Sequence, residues 1–287
     1  MTLFDERTEV VVAGGHAPTS VPPPPPRRPR RMPRPAPQYA PLTNGQALAR
    51  GILSLIAAIA LAFVFHLLVL SHVLHFATQQ QLSDTYRAQL AAGTAPVSEG
   101  DFADVLLADG VPVGVIDIPR LGVHEVIAEG TSSGVLAGGP GHRRDTVLPG
   151  QVGVSVVMGR AAAFGVPFGR LQSLQPGERI DIRTGQGLNT FEVLGVRYAG
   201  DPTPPAPARG ESRLILMTAR GAPFVPTGIA YVDARLVDKG QPAGARQTTP
   251  ITLSPADTAM ATDTTTVWAL VFALQFLVAA ESAAVWA

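Results

Sequence analysis

LILMTARGAPF, Leu214 to Phe224, reads as a buried strand that ends on Thr218 and Ala219 and then breaks into a loop. A strand ending of this kind can present a reactive side chain at the rim of a sheet, and position 219 offers only a methyl group. Working outward, the same texture recurs from about Val111: VPVGVIDIPRLGVHEVIAEG, VGVSVVMGR, ERIDIRTG, NTFEVLGVRYA and GIAYVDARLV are short β-rich runs separated by glycine and proline. Several short strands with turn signals between them predict an all-β domain, a barrel or sandwich, over residues 111–239.

The rest of the 287-residue chain is organised around that domain. Residues 1–48 contain VPPPPPRRPRRMPRPAPQYAPL, too rich in proline and arginine to offset the entropy lost on ordering, and are expected to be a disordered tail with polyproline II character. GILSLIAAIALAFVFHLLVLSHVLHFA, residues 51–77, is free of formal charge and exceeds the roughly 20 residues that a helix needs to cross a bilayer. Arg27, Arg28, Arg30, Arg31, Arg34 and Arg50 all precede it, which predicts a cytoplasmic N-terminus and an extracytoplasmic β domain at the plasma membrane. His66, His72 and His75 in this segment are expected to pack or anchor. Residues 78–110, beginning TQQQLSDTYRAQLAAG, read as a helical stalk standing in water, and residues 240–266 as a polar linker. Residues 267–287 read as a second span, in which Gln275 and Glu281 are expected to face a protein partner within the membrane.

Composition excludes much chemistry. The absence of cysteine removes disulfides and thiolate sites, and zero formal net charge gives no bias toward nucleic acid. The acidic residues lack the spacing of an oxygen cage for calcium, and phosphate-loop and dinucleotide signatures are missing, so no metal or cofactor is expected.

The order of Ile118-Pro119, Glu129-Gly130-Thr131, Gly139-Pro140-Gly141-His142, Leu148-Pro149-Gly150, Phe164-Gly165, Pro167-Phe168, Pro176-Gly177 and Leu214 to Thr218 resembles the core of the sortase family, its actinobacterial forms most of all. Sortases are membrane-anchored cysteine transpeptidases that attach surface proteins to the cell wall or to one another. The resemblance covers about Val111 to Val237. It implies a closed β-barrel of about eight strands, a groove for an extended sorting peptide, and a catalytic histidine, cysteine and arginine.

This chain departs from the pattern at all three catalytic positions. The residue after the glycine that ends VSVVMGR, where the family has histidine, is Arg160; the residue after the threonine of LILMTA, where it has cysteine, is Ala219. The arginine position falls on Gly228 or Ile229, with Ile229 taken as the equivalent. A methyl group forms no acyl-enzyme, and a guanidinium keeps its proton at physiological pH and is no general base. Thr218 should face away from Ala219, because successive strand side chains alternate. Arg220 is expected in the loop after the strand, within reach of the groove mouth. His142 is assigned a structural or groove-lining role, His124 a place on a strand surface, and Ser173 and Ser212 surface turns. Arg160 has alternatives open to it: capture of an acidic peptide, a pair with Asp145 or another barrel carboxylate, or solvation.

Two functions follow. The first is a catalytically inactive sortase-like binding or assembly module at the cell surface, with a peptide or surface protein in its groove. The alternative is a transpeptidase or hydrolase that works without cysteine or is completed by a partner chain.

Overall fold

A computed structural model describes residues 43–259, except 102 and 104, together with residues 271, 274, 275 and 278. The segment 43–47 forms a unit of its own in the contact pattern. Within it the Thr43 amide donates to Gln46 Oε1 at 3.0 Å and the Gln46 amide lies 3.4 Å from Thr43 Oγ1, a reciprocal cap that starts helix α1, Asn44–Phe65. Helix thus begins inside the 1–48 segment read as a tail; residues 1–42 lie outside the described residues.

Helix α1 continues through a π-helical turn, His66–Leu70, into α2, Ser71–Ala92. No residue of α1 is buried, and the combined helix is long and apolar enough to cross a membrane. From Ser71 the environment changes: Ser71, His75 and Tyr86 are buried against the β domain. The stalk expected over 78–110 is therefore not free-standing, and its helix stops at Ala92, where Gly93 takes φ +69°. Gln79 and Tyr86 bond to the β domain.

Among the described residues, eight strands close into a barrel in the order β1-β2-β3-β4-β7-β8-β6-β5. They are β1 Pro112–Ile118, β2 Val123–Glu129, β3 Gly141–His142, β4 Gly153–Met158, β5 Arg179–Thr184, β6 Gly187–Tyr198, β7 Ser212–Ala222 and β8 Val225–Leu236. Neighbours pair antiparallel except β2 with β3 and β4 with β7, which are parallel. Alternation along each strand sends Ile116, Ile182, Phe191, Leu214, Leu216 and Val232 into the barrel, where Phe168, Leu171 and Leu174 from the β4–β5 connection complete the core. The opposite face of β4 and β7 carries a second apolar cluster, Val156, Met158 and Met217, against Leu136 of α3, Ser133–Gly138.

Strand β7 does not break at Ala219. It continues to Ala222, pairs Ala219 with Ile229 and Arg220 with Gly228, and turns through Pro223 and Phe224 directly into β8. The reason is Gly221: at φ +121° it carries the bulge in the hairpin, and a Cβ there would sit 2.6 Å from Val225 O. Read in sequence, that glycine looks like a strand breaker. Ser212 likewise is buried at the start of β7 and not in a surface turn, whereas Ser173 is exposed in a short 3-10 turn.

The segment read as a separating linker is fastened to the barrel through Ala259. Gln241 donates to Gly150 O at 2.8 Å and accepts from the Val152 amide at 2.9 Å; the Thr248 amide donates to buried Glu99 Oε1 at 2.7 Å. Arg246 bonds to Asp145 O. Residues 260–266 lie outside the described residues, as does most of the proposed second span, including Glu281; Val271, Leu274, Gln275 and Val278 are helical and Gln275 is exposed.

The clamp between α2 and the barrel has a simple chemistry. Strand β3 is two residues long and covers β2 only at Ala128 and Glu129, so the edge of β2 at Val126 lacks a strand partner. The Gln79 side chain supplies what a peptide group would: Oε1 accepts from the Val126 amide at 2.8 Å, and Nε2 donates to Val126 O at 3.2 Å and Gly138 O at 2.9 Å. Below it the Tyr86 hydroxyl lies 3.4 and 3.3 Å from the carbonyls of Val113 and Arg183, and above it His75 Nε2 donates to Glu125 at 3.0 Å. Gln79→Ala strands the Val126 groups and should cost about 1–3 kcal/mol, read as a lower urea midpoint, whereas Gln80→Ala on the exposed face should cost less than about 0.5 kcal/mol.

Candidate functional site

Strands β4 and β7 lie side by side in register, Gly153 opposite Ser212 through Met158 opposite Met217. The backbone bond from the Gly159 amide to Met217 O at 3.0 Å and the Thr218 hydroxyl bond to Gly159 O at 3.0 Å carry the pair one step beyond β4. Two residues past Met158 and two past Met217 stand Arg160 and Ala219. Both line a cavity of about 360 Å³ at the rim of the barrel, together with Ile229, Met158, Met217, Thr131 and Ser133. The three positions singled out in the sequence therefore meet at one place.

Gly159 sets the approach. A Cβ on it would lie 2.4 Å from the Phe168 ring, so only glycine lets the chain leave β4 past that buried ring and deliver residue 160 to the cavity. The guanidinium of Arg160 donates through Nη2 to Ser133 Oγ at 2.6 Å and Ser133 O at 3.0 Å, and its Cζ sits 4.7 Å over the Phe164 ring. Asp145, one of the partners considered for it, is gripped by Arg143 at 2.5 and 2.6 Å. The loop that follows is unusual in its backbone: Ala163, Phe164 and Val166 all have positive φ, around Gly165, which faces His75 of α2. The Phe164 amide donates to Ser71 Oγ at 3.2 Å, and the Phe164 ring meets His66 edge-on at 6.4 Å. His72 stays at the helix surface beside Ser71.

The remaining candidates separate. Thr218 is buried. Arg220 lies on β7, not in a loop, with its guanidinium 4.3 Å over Tyr198 while its residue borders the cavity. His124 is exposed on β2 beside Asp117. His142 is 1% exposed and does not line the cavity, which rules out the groove-lining half of its assignment. Its Nδ1 lies 2.9 Å from Glu129 Oε2 and its Nε2 2.9 Å from Val147 O. Nε2 also lies 3.2 Å from the Thr146 hydroxyl, so the ring is bonded on both edges. Burial by itself lowers the pKa of this ring, but the charge and hydrogen bond of Glu129, helped by the Val147 carbonyl and opposed by Arg144, raise it above the ordinary 6.5.

What the geometry offers chemically is a small, mostly apolar recess with one guanidinium on a hydroxyl and a backbone carbonyl, and with no group at position 219 that can attack a carbonyl. Among the described residues, no three of His, Asp and Glu gather as metal ligands. Sequence reasoning missed Ser133, the anchor of Arg160, and Ala256, Thr258 and Ala259, which also line the cavity. Ser133 follows the Glu129-Gly130-Thr131 motif by two residues, but nothing local marks it as an arginine partner.

The family model described as the sortase domain matches residues 116–236. Over these residues the chain is similar to a sortase domain. The match spans β1 from Ile116 to the last residue of β8, and so includes positions 160, 219 and 229 of the cavity. Solved structures similar to the chain include a sortase D5 transpeptidase of Clostridium perfringens at 21% identity, covering 58% of this chain and 99% of that one with a TM-score of 0.44. Sortase E from Streptomyces avermitilis is similar at 28% identity, with 47% and 93% coverage and a TM-score of 0.39. Sortase E1 from Streptomyces coelicolor, solved with a tripeptide in its active site, is similar at 19% identity, with 45% and 90% coverage and a TM-score of 0.39. No curated protein matches the chain.

The barrel should show the signature of its buried His142. A raised folded pKa gives stability that is fully present below the unfolded histidine value and is lost as pH rises through the folded one. The melting temperature is expected to fall from pH 6.5 upward. His142→Gln should flatten that decline, while His124→Gln, at the surface, leaves it in place.

Proposed function

We propose that this protein is a membrane-anchored, catalytically inactive sortase that serves at the cell surface as a peptide-binding or assembly module. The observation that carries the reading is the meeting of Arg160, Ala219 and Ile229 on one cavity. Were these three scattered, their identities would say nothing about chemistry. Acyl transfer of the sortase kind needs a thiolate to attack, an imidazole to pass a proton to the leaving amine and a guanidinium to steady the oxyanion. At this cavity the attacking position is a methyl, the proton-transfer position a permanent cation held by Ser133, and the oxyanion position the aliphatic side chain of Ile229, paired in the β7–β8 hairpin.

Anchoring is supported by the exposed apolar surface of α1 and by the arginines that precede it, which favour a cytoplasmic N-terminus and an extracytoplasmic barrel. The residues retained around the cavity, Met158, Met217, Leu136 and Ile229, form an apolar wall suited to an extended peptide, with the Arg160 guanidinium at its edge. A second membrane contact through Gln275 and Glu281, to another helix, is part of the same proposal.

The alternative of a cysteine-independent or partner-completed enzyme is decided by turnover. The unaltered chain in detergent, given a fluorogenic sorting-signal peptide and an amine acceptor, should release no fluorophore above the buffer control, alone or with a membrane extract of its own cells. The combined Ala219→Cys, Arg160→His and Ile229→Arg variant should give a covalent peptide adduct by intact mass. Cleavage by the unaltered chain would overturn the proposal.

A further inference from the structure

The outer face of β4 and β7 is apolar, yet Val156, Met158 and Met217 are only 5%, 5% and 6% exposed. They point away from the barrel core, so something else must cover them. On one side it is Leu136 of α3; on the other it is Ala259, from beyond the barrel. Ala256 and Thr258 of the same stretch line the cavity that holds Arg160 and Ala219.

That stretch is fastened by a bonded pair made for it. Asp257 is 4% exposed and Thr131 2%. The Thr131 amide donates to Asp257 Oδ1 at 2.8 Å and the Thr131 hydroxyl donates to Asp257 O at 2.6 Å, so one residue of the barrel reads both the side chain and the backbone of one residue of the segment. The segment is shaped in advance: Pro255–Asp257 form a single 3-10 turn, Ser254 Oγ accepts from the Ala256 amide at 3.3 Å, and the Asp257 amide donates to Ser254 O at 2.9 Å. Proline lowers the entropy lost on docking, and alanine at 256 and 259 keeps the segment slim enough to lie against the methionines.

We infer that the cavity is a docking site for a short Pro-Ala-Asp-Thr type of segment, recognised through Thr131, and that Ser254–Ala259 of the same chain is its resident ligand. This rests on the reading of the cavity as a binding site and adds the ligand's chemistry: a carboxylate for the Thr131 amide, flanked by proline and small residues. An incoming peptide has to displace the chain's own segment, so affinity for outside ligands is set by the strength of the Thr131–Asp257 pair.

The chain has no cysteine, so Ala219→Cys places a single thiol at the cavity. Its rate of reaction with a bulky maleimide, measured on the full chain in detergent micelles, reports whether the cavity is covered. Adding Asp257→Ala should raise that rate about tenfold or more, and Thr131→Val, which removes only the hydroxyl bond, should raise it by a smaller factor. Circular dichroism checks that both variants stay folded. A synthetic peptide of residues 252–262 should slow labelling of the Asp257→Ala chain again, and the same peptide carrying Asp257→Ala should not. Equal labelling rates in the parent and both variants overturn the inference. So does acceleration that the peptide fails to reverse, an outcome that leaves the non-catalytic reading standing because turnover alone decides it. A parent rate that rises on dilution would assign the covering segment to a second copy and also contradict it.

Discussion

Everything at the candidate site depends on the parallel pairing of β4 with β7. Two parallel neighbours cannot be joined by a tight turn, so the chain between them must leave, build β5 and β6, and return in register. The consequence is that both strands end at the same rim of the barrel. Positions 160 and 219, far apart in sequence, are set side by side by six consecutive residue pairs, Gly153 opposite Ser212 to Met158 opposite Met217. A slip by one residue would turn Ala219 into the core and Thr218 outward, so the inward Leu214 and Leu216 hold the register with their own burial.

The same register separates the core from the rim. The barrel core consists of residues that no catalytic step touches, and Arg160, Ala219 and Ile229 sit outside it on the rim. Replacing a thiol with a methyl there leaves the core intact. Arg160 is accommodated by Ser133 and by the face of Phe164, in a loop whose left-handed residues are braced against α2 through Ser71 and His75. The rim is thus tied to α2.

Much of this was legible in the sequence. The apolar run Leu214 to Met217 announces a buried strand and the alternation in Arg179 to Thr184 a strand with one buried face, and the order of glycine and proline motifs places positions 160 and 219 at strand ends. What was not legible is what packs onto the barrel. Gln79 and Asp257 look like solvent-facing polar residues in a stalk and a linker, because their partners, Val126 and Thr131, lie 47 and 126 residues away. A polar side chain that completes a strand edge leaves no periodic trace. Gly221 misled for a related reason: a glycine after a buried run marks a break or a bulge equally well, and only its neighbour across the hairpin, Val225, decides between them.

The central claim is that positions 160 and 219 are neighbours at one cavity. In this cysteine-free chain, Arg160→Cys with Ala219→Cys can be treated with dibromobimane, which becomes fluorescent only when both of its arms have reacted with thiols. The account predicts a fluorescent intramolecular adduct in the double variant and none in either single variant. Single thiols that each react while the pair never joins would contradict it.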